Sequence, residues 1–164
     1  MGECMASNPP SNSGALVIDA NVTIALAAKE IGREAVAIAE MSRYAQLGYE
    51  WYAPAIIIAE TLYVLCGKKD RGELSPADYA IAISGFQKTM TSIQPPPNGD
   101  RTLIERAEQV GTGYGCSRSA DGIFIALAED LARTRPTILL TFDQGMPNQA
   151  ARNAPTVTVQ VLAT

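Results

Sequence analysis

A chain of 164 residues, 17.4 kDa and net charge −4, with 47% hydrophobic and 18% charged residues, fits one globular domain; it is too apolar for disorder, and no apolar run is long enough for a membrane helix. It has no histidine, which excludes Ser-His-Asp and Cys-His nucleophiles, imidazole acid–base pairs, HExxH zinc sites and Cys/His fingers. Its three cysteines (Cys4, Cys66, Cys116) are odd in number and too separated for a CxxC motif, which fits a reducing, cytoplasmic setting, and a pI near 4.8 argues against binding nucleic acid by broad electrostatic attraction.

Residues 1–14, MGECMASNPPSNSG, lack the basic start and apolar stretch of a secretory signal, and Ala6 stands where myristoylation wants Ser or Thr. They read as a flexible tail before a single domain over 15–164. The apolar run Ala15-Leu16-Val17-Ile18, ending at Asp19, suits a buried parallel strand. Residues 22–47, interrupted by Gly32 and closed by Gly48, predict a short helix, a break and a longer helix, and residues 50–53 a short strand. Pro54 suits a helix start, and residues 55–65 are apolar on nearly all sides, which predicts a fully buried helix ending before a charged link, KKDRGE.

Ser75-Pro76 opens a helix to about Met90, with Ser75 as cap. Residues 91–94 are at most a brief strand before the PPPNGD loop. Asp100 is expected to cap a helix over 101–110, with Gly111 as its C-cap and GTGYGCS as a loop. Ser119 is expected to cap a helix over 120–132, whose Ile123, Leu127 and Leu131 mark a core face. Residues 137–141 read as a second buried strand with Asp143 just beyond, and 156–162 alternate like an edge strand. Strands alternating with helices imply an α/β fold with a mainly parallel sheet flanked by helices on both faces.

Most of the seventeen acidic residues lie in polar surroundings. Four do not: Asp19 ends an apolar strand, Glu60 interrupts IIIAETLYVL, Asp121 opens ADGIFIALA, and Asp143 follows ILLTF. Burying an ionised carboxylate costs several kcal/mol unless it is compensated, and no Lys or Arg lies in those segments. The carboxyl ends of parallel strands open onto one crevice, which would bring Asp19, Asp143 and Asp121 together with Glu60 completing the cluster. Such a cluster is repulsive unless a divalent cation sits among its members, and all-oxygen ligands favour Mg²⁺ or Mn²⁺, ions suited to phosphate chemistry. A structural reading stands beside the first, third and fourth: a helix cap for Asp19, a favourable helix-start charge for Asp121, a turn before Gly145 for Asp143. Glu60, in mid-helix among apolar neighbours, gains nothing from caps or turns.

VIDANV, then P-x5-E from Pro54 to Glu60, then SADGIFIALA and TFD, resemble the PIN-domain ribonucleases, particularly the VapC type, over Ala15 to Leu162. The resemblance implies a PIN-like fold in which Asp19, Glu60, Asp121 and Asp143 are the metal-binding, catalytic acids, with Asn21 and Thr141 as polar neighbours of the first and last. It implies Mg²⁺- or Mn²⁺-dependent endonucleolytic cleavage of RNA, leaving 5′-phosphate and 3′-hydroxyl ends. It also implies a homodimer and, as in many such toxins, a small antitoxin partner. The free tail and the PPPNGD link depart from the pattern without touching the acids.

Arg118, three residues before Asp121, is a candidate phosphate contact; Lys68, Lys69 and Arg71 are weaker candidates, since charge runs usually mark solvated loops. GTGYG lacks the strand before it and the Lys-Ser/Thr after it that a phosphate loop needs. Tyr44, Tyr49, Trp51 and Tyr52 are better explained by core packing than by base stacking. Two rivals remain. Asp19-Ala20-Asn21-Val22-Thr23 resembles the first motif of haloacid-dehalogenase-type phosphatases, but Asn21 replaces that motif's second acid. A PIN-like module that binds RNA or protein without cutting is the non-enzymatic alternative.

Overall fold

Every residue of β1 (Ala15–Ile18) is fully buried, as an apolar, partly β-branched strand covered on both faces should be. The computed structural model describes residues 13–116 and 119–164. Residues 1–12 of the expected tail, and Arg118, lie outside the described residues. Gly14 is already part of the fold: its carbonyl accepts from the Glu50 amide at 2.9 Å.

Five parallel strands form one sheet in the order β3-β2-β1-β4-β5, with β2 at Glu50–Tyr52, β3 at Ile93–Gln94, β4 at Thr137–Thr141 and β5 at Thr158–Val161. The chain leaves β1 towards β2 and β3, then crosses back to β4 and β5. Right-handed crossovers therefore place the first four helices on one face and the last three on the other. On the first face, α1 (Ala20–Ala27) packs against α2 (Arg33–Gln46), α3 (Ile56–Asp70) and α4 (Pro76–Met90). On the second, α6 (Ser119–Ala132) lies on β1 and β4 and packs against α5 (Ile104–Gly113), which also touches α7 (Met146–Asn153). The direction of travel reverses between β1 and β4, the position at which a parallel α/β sheet opens a crevice at its carboxyl edge.

Local chemistry sets most boundaries where the sequence predicts them. Gly32 (φ 82°) separates α1 from α2, and Ser75 caps α4 by accepting from the Asp78 amide at 3.1 Å. Gly122, next to Asp121, lets α5 and α6 approach closely, since a Cβ there would stand 2.7 Å from the Ala107 carbonyl oxygen. The position of α6 therefore depends on a missing side chain.

Four expectations need correction. Helix α3 is not buried all round: Ile57, Thr61 and Leu65 face the interior, while Ile58, Leu62 and Tyr63, the last 81% exposed, face outward. It also runs through Gly67 into the expected charged link, because Lys68 and Lys69 complement the negative end of the helix dipole and Lys68 is tied to Glu30 at 2.9 Å. Asp100 opens a 3-10 turn (Asp100–Leu103) before α5, and its carboxylate accepts from the Ala55 amide at 2.8 Å rather than capping α5. Helix α5 passes through buried Gly111, which adjoins Gly122, and ends at Gly113. Between the expected strands, where the sequence pattern marks no element, α7 forms with a Pro in its first helical turn.

Candidate active site

Asp19 ends β1 and caps α1 from extended backbone (φ −78°, ψ 153°), and its Oδ1 accepts from the Ala20 amide at 2.7 Å. The register pairs Ile18 with Leu140, so Asp19 and Thr141 emerge side by side at the carboxyl edge. Thr141 Oγ1 donates to Asp19 Oδ2 at 2.6 Å, and Asn21 Nδ2 donates to the same oxygen at 2.7 Å. Thr141 Oγ1 in turn accepts from Asn21 Nδ2 at 3.0 Å and from the Asp143 amide at 2.9 Å, while Asn21 Oδ1 accepts from the Phe142 amide at 3.0 Å. One small network therefore fixes the Asp19 carboxylate and the backbone on both sides of Phe142. Asp143 completes a tight turn by accepting from the Gly145 amide at 2.7 Å.

Glu60 reaches the same region from α3, which is pinned to α1 by a buried hydrogen bond of 2.8 Å between the hydroxyls of Thr23 and Thr61. Its Oε2 is buried with no hydrogen-bond partner among the described residues. Asp121 sits in the first turn of α6, and its Oδ2 accepts from Gln149 Nε2 of α7 at 3.3 Å.

Burial, reinforced by the charges of Asp121 and Asp143, pushes the Asp19 carboxyl up to about 6 even though the Thr141 and Ala20 hydrogen bonds pull it down. Burial, with the charges of Asp19 and Asp121, pushes Glu60 to about 7. Asp19 thus senses Asp121 and Asp143, and Glu60 senses Asp19 and Asp121. Among the described residues, no three carboxylates or cysteines stand close enough to coordinate a single ion together. Unscreened carboxylates repel, and nothing on the described chain offsets the Glu60 charge: no ion pair reaches it.

The donor chemistry nonetheless fits a hard divalent cation. The set is all oxygen, one oxygen of Glu60 is buried without a partner among the described residues, and the raised Asp19 and Glu60 carboxyls are groups that a cation would return to the ionised form.

The weaker basic candidates are occupied elsewhere. Lys68 is paired with Glu30 and with Glu73 at 3.3 Å, Arg71 with Glu73 at 2.6 Å, and the Lys69 ammonium lies 5.1 Å from the Tyr79 ring centre. Tyr44 and Tyr52 are buried, and Tyr49 packs on Tyr44 with ring centres 4.9 Å apart, so these aromatics do serve the core. The phosphatase alternative fails on Asn21, whose amide is spent on Asp19, Thr141 and the Phe142 backbone where that chemistry needs an acid.

One polar residue at the site escaped the sequence reading. Gln149 is fully buried, and it shares the inner face of α7 with Met146 and Ala150. The i, i+3, i+4 spacing of these residues would have placed it there had the short helix been recognised.

No curated protein matches the chain. The PIN domain family model matches residues 16–152. PIN domains are in general nucleases, and nucleases of this family typically use divalent metals. With a match that covers most of its length, the chain belongs to the PIN domain family.

Proposed function

We propose that this protein is a VapC-type endoribonuclease in which Asp19, Glu60, Asp121 and Asp143 hold Mg²⁺ or Mn²⁺. The observation that carries this reading is that Asp19, raised to about 6, feels Asp121 and Asp143, and Glu60, raised to about 7, feels Asp19 and Asp121, while Glu60 Oε2 has no partner among the described residues. A scaffold gains nothing from such a group, since an unpartnered buried oxygen only destabilises it. When bound, the ion supplies a lowered water pKa and offsets charge on the phosphate and leaving oxygen.

The protein's own part is positional. Thr141 and Asn21 hold Asp19 Oδ2, the Ala20 amide holds Oδ1, and the Thr23–Thr61 bond holds the helix that carries Glu60. Hydrolysis adds one water across the P–O3′ bond and leaves 5′-phosphate and 3′-hydroxyl ends. With Mn²⁺ present, end-labelled RNA should be cut internally to such products, and excess chelator should stop the reaction. Cleavage that persists in chelator would refute the metal-dependent reading, and binding of RNA without cleavage would favour the non-catalytic module.

We also place the protein in the cytoplasm, as a toxin held by a small antitoxin and acting as a homodimer. The toxin role predicts that the chain expressed alone arrests growth of its host; normal growth with active enzyme present would count against it. For the dimer, the support is the outward apolar side of α3, where Ile58, Leu62 and Tyr63 lie exposed on a helix whose composition is that of a buried one. Leu62→Glu with Tyr63→Glu should convert a dimer to a monomer in sedimentation, and a wild-type chain that sediments as a monomer would overturn this assignment.

A further inference from the structure

We infer that Gln149 is a positioning residue for Asp121, and that it holds this carboxylate at a cost to the stability of the fold. The inference rests on the nuclease reading above and deepens it.

Gln149 has no accessible surface, and it faces inward between Met146 and Ala150 from a helix packed on α5 and β5. Its Nε2 donates to Asp121 Oδ2 at 3.3 Å, while its Oε1 is buried with no partner among the described residues. The neighbouring anion fixes which way the amide points, because the reversed amide would set Oε1 against the carboxylate. That orientation leaves Oε1 without a donor among the described residues. A long, neutral-to-charge contact returns little, whereas a buried unsatisfied carbonyl is expensive. A Leu or Met of similar volume would remove the unsatisfied oxygen and pack against the same apolar neighbours. On stability alone, then, glutamine is a poor choice for this position.

What glutamine supplies and Leu cannot is an N–H aimed at Asp121. Its neutrality matters as much as its direction. A Lys or Arg at position 149 would also reach the carboxylate, but would add a positive charge of its own beside a group proposed to attract a cation. An amide orients the acid and leaves its charge in place, the part usually played by polar groups behind metal ligands. Gln149 does this for Asp121 from α7, as Asn21 and Thr141 do for Asp19 from α1 and β4.

The test compares wild type with Gln149→Leu, and with Gln149→Met as the less branched replacement should Leu fail to fold. Three quantities are read: the melting temperature in chelator, the Mn²⁺ dissociation constant from the loss of free-ion electron paramagnetic resonance signal, and kcat and KM on a labelled RNA. The expected result is a melting temperature equal to or above that of wild type, together with Mn²⁺ binding weakened about tenfold and kcat lowered about tenfold, in the range found when partners behind metal ligands are lost, with KM unchanged. A variant that melts lower yet binds Mn²⁺ and cuts RNA as wild type does would show that Gln149 serves packing alone, and would overturn the inference. A wild type that neither binds Mn²⁺ nor cuts RNA would instead overturn the nuclease reading and this inference with it, so wild type by itself tells the two failures apart.

Discussion

Asp19→Asn should lower Mn²⁺-dependent RNA cleavage by roughly 10³-fold, the scale reached when a group acting on the transition state is lost, while leaving the protein folded. The charge matters most because Asp19 stands where β1 meets the crevice and is coupled to Asp121 and Asp143. The cost to the fold is small for a reason visible in its contacts. Oδ1 accepts from the Ala20 amide, and Oδ2 accepts from Asn21 and Thr141. An asparagine can satisfy either the Ala20 amide or the Asn21 amide, but not both, since its own NH₂ group must face the other donor. One hydrogen bond is lost, at about 1 kcal/mol, and the relief of repulsion from Asp121 and Asp143 offsets part of it. The melting temperature in chelator should therefore stay within about 4 °C of wild type. Unchanged cleavage in a folded Asp19→Asn variant would remove the central acid from the proposed mechanism.

The elements that hold Asp19 are legible in the sequence because two independent signals agree on each. A buried strand is written in LVI and again in ILLT, and the carboxylates stand directly at their ends. The register that pairs Ile18 with Leu140, which makes Asn21 and Thr141 partners of Asp19, cannot be read from either segment alone. It follows from the crossover between them.

Helix α3 misled in the opposite direction. An all-round apolar pattern implies complete burial only when the chain itself supplies every neighbour, and here Tyr63 and Leu62 face away from the rest of the fold. Helix α7 was hidden because Gly145, Pro147 and Asn148 look like punctuation, although a proline in the first turn is compatible with a helix start. Gln149 lies on that helix. Its role depends on a contact between residues 28 positions apart that no local pattern encodes.

Glu60→Gln should lower cleavage by roughly 10²-fold and, in chelator, should reverse part of an unusual dependence of stability on pH. Glu60 is raised from 4.5 to about 7 and Asp19 from 3.8 to about 6, in both cases chiefly by burial. Over that interval the folded protein holds protons that the unfolded chain has already released. The stability contributed by these two groups is therefore fully present below about pH 4 and is lost as the pH rises through 6 to 7. Without metal, their contribution should make the protein melt at a lower temperature at about pH 8 than at about pH 5, opposite to the trend set by carboxylates held in salt bridges.

Replacing Glu60 with the neutral amide removes the group with the higher pKa, so the decline should be shallower in the variant. Mn²⁺ competes with the same protons. Its stabilising effect on wild type should consequently be larger at about pH 8 than at about pH 5, and its binding should release protons into an unbuffered solution. Thermal scans at both pH values, with chelator and with millimolar Mn²⁺, read all of this from two proteins. A wild type whose melting temperature in chelator rises steadily from acid to alkaline pH, with no difference in slope between it and Glu60→Gln, would show that Glu60 is ionised and solvated like any surface acid, and the crevice would then lack the charge density on which a cation site depends.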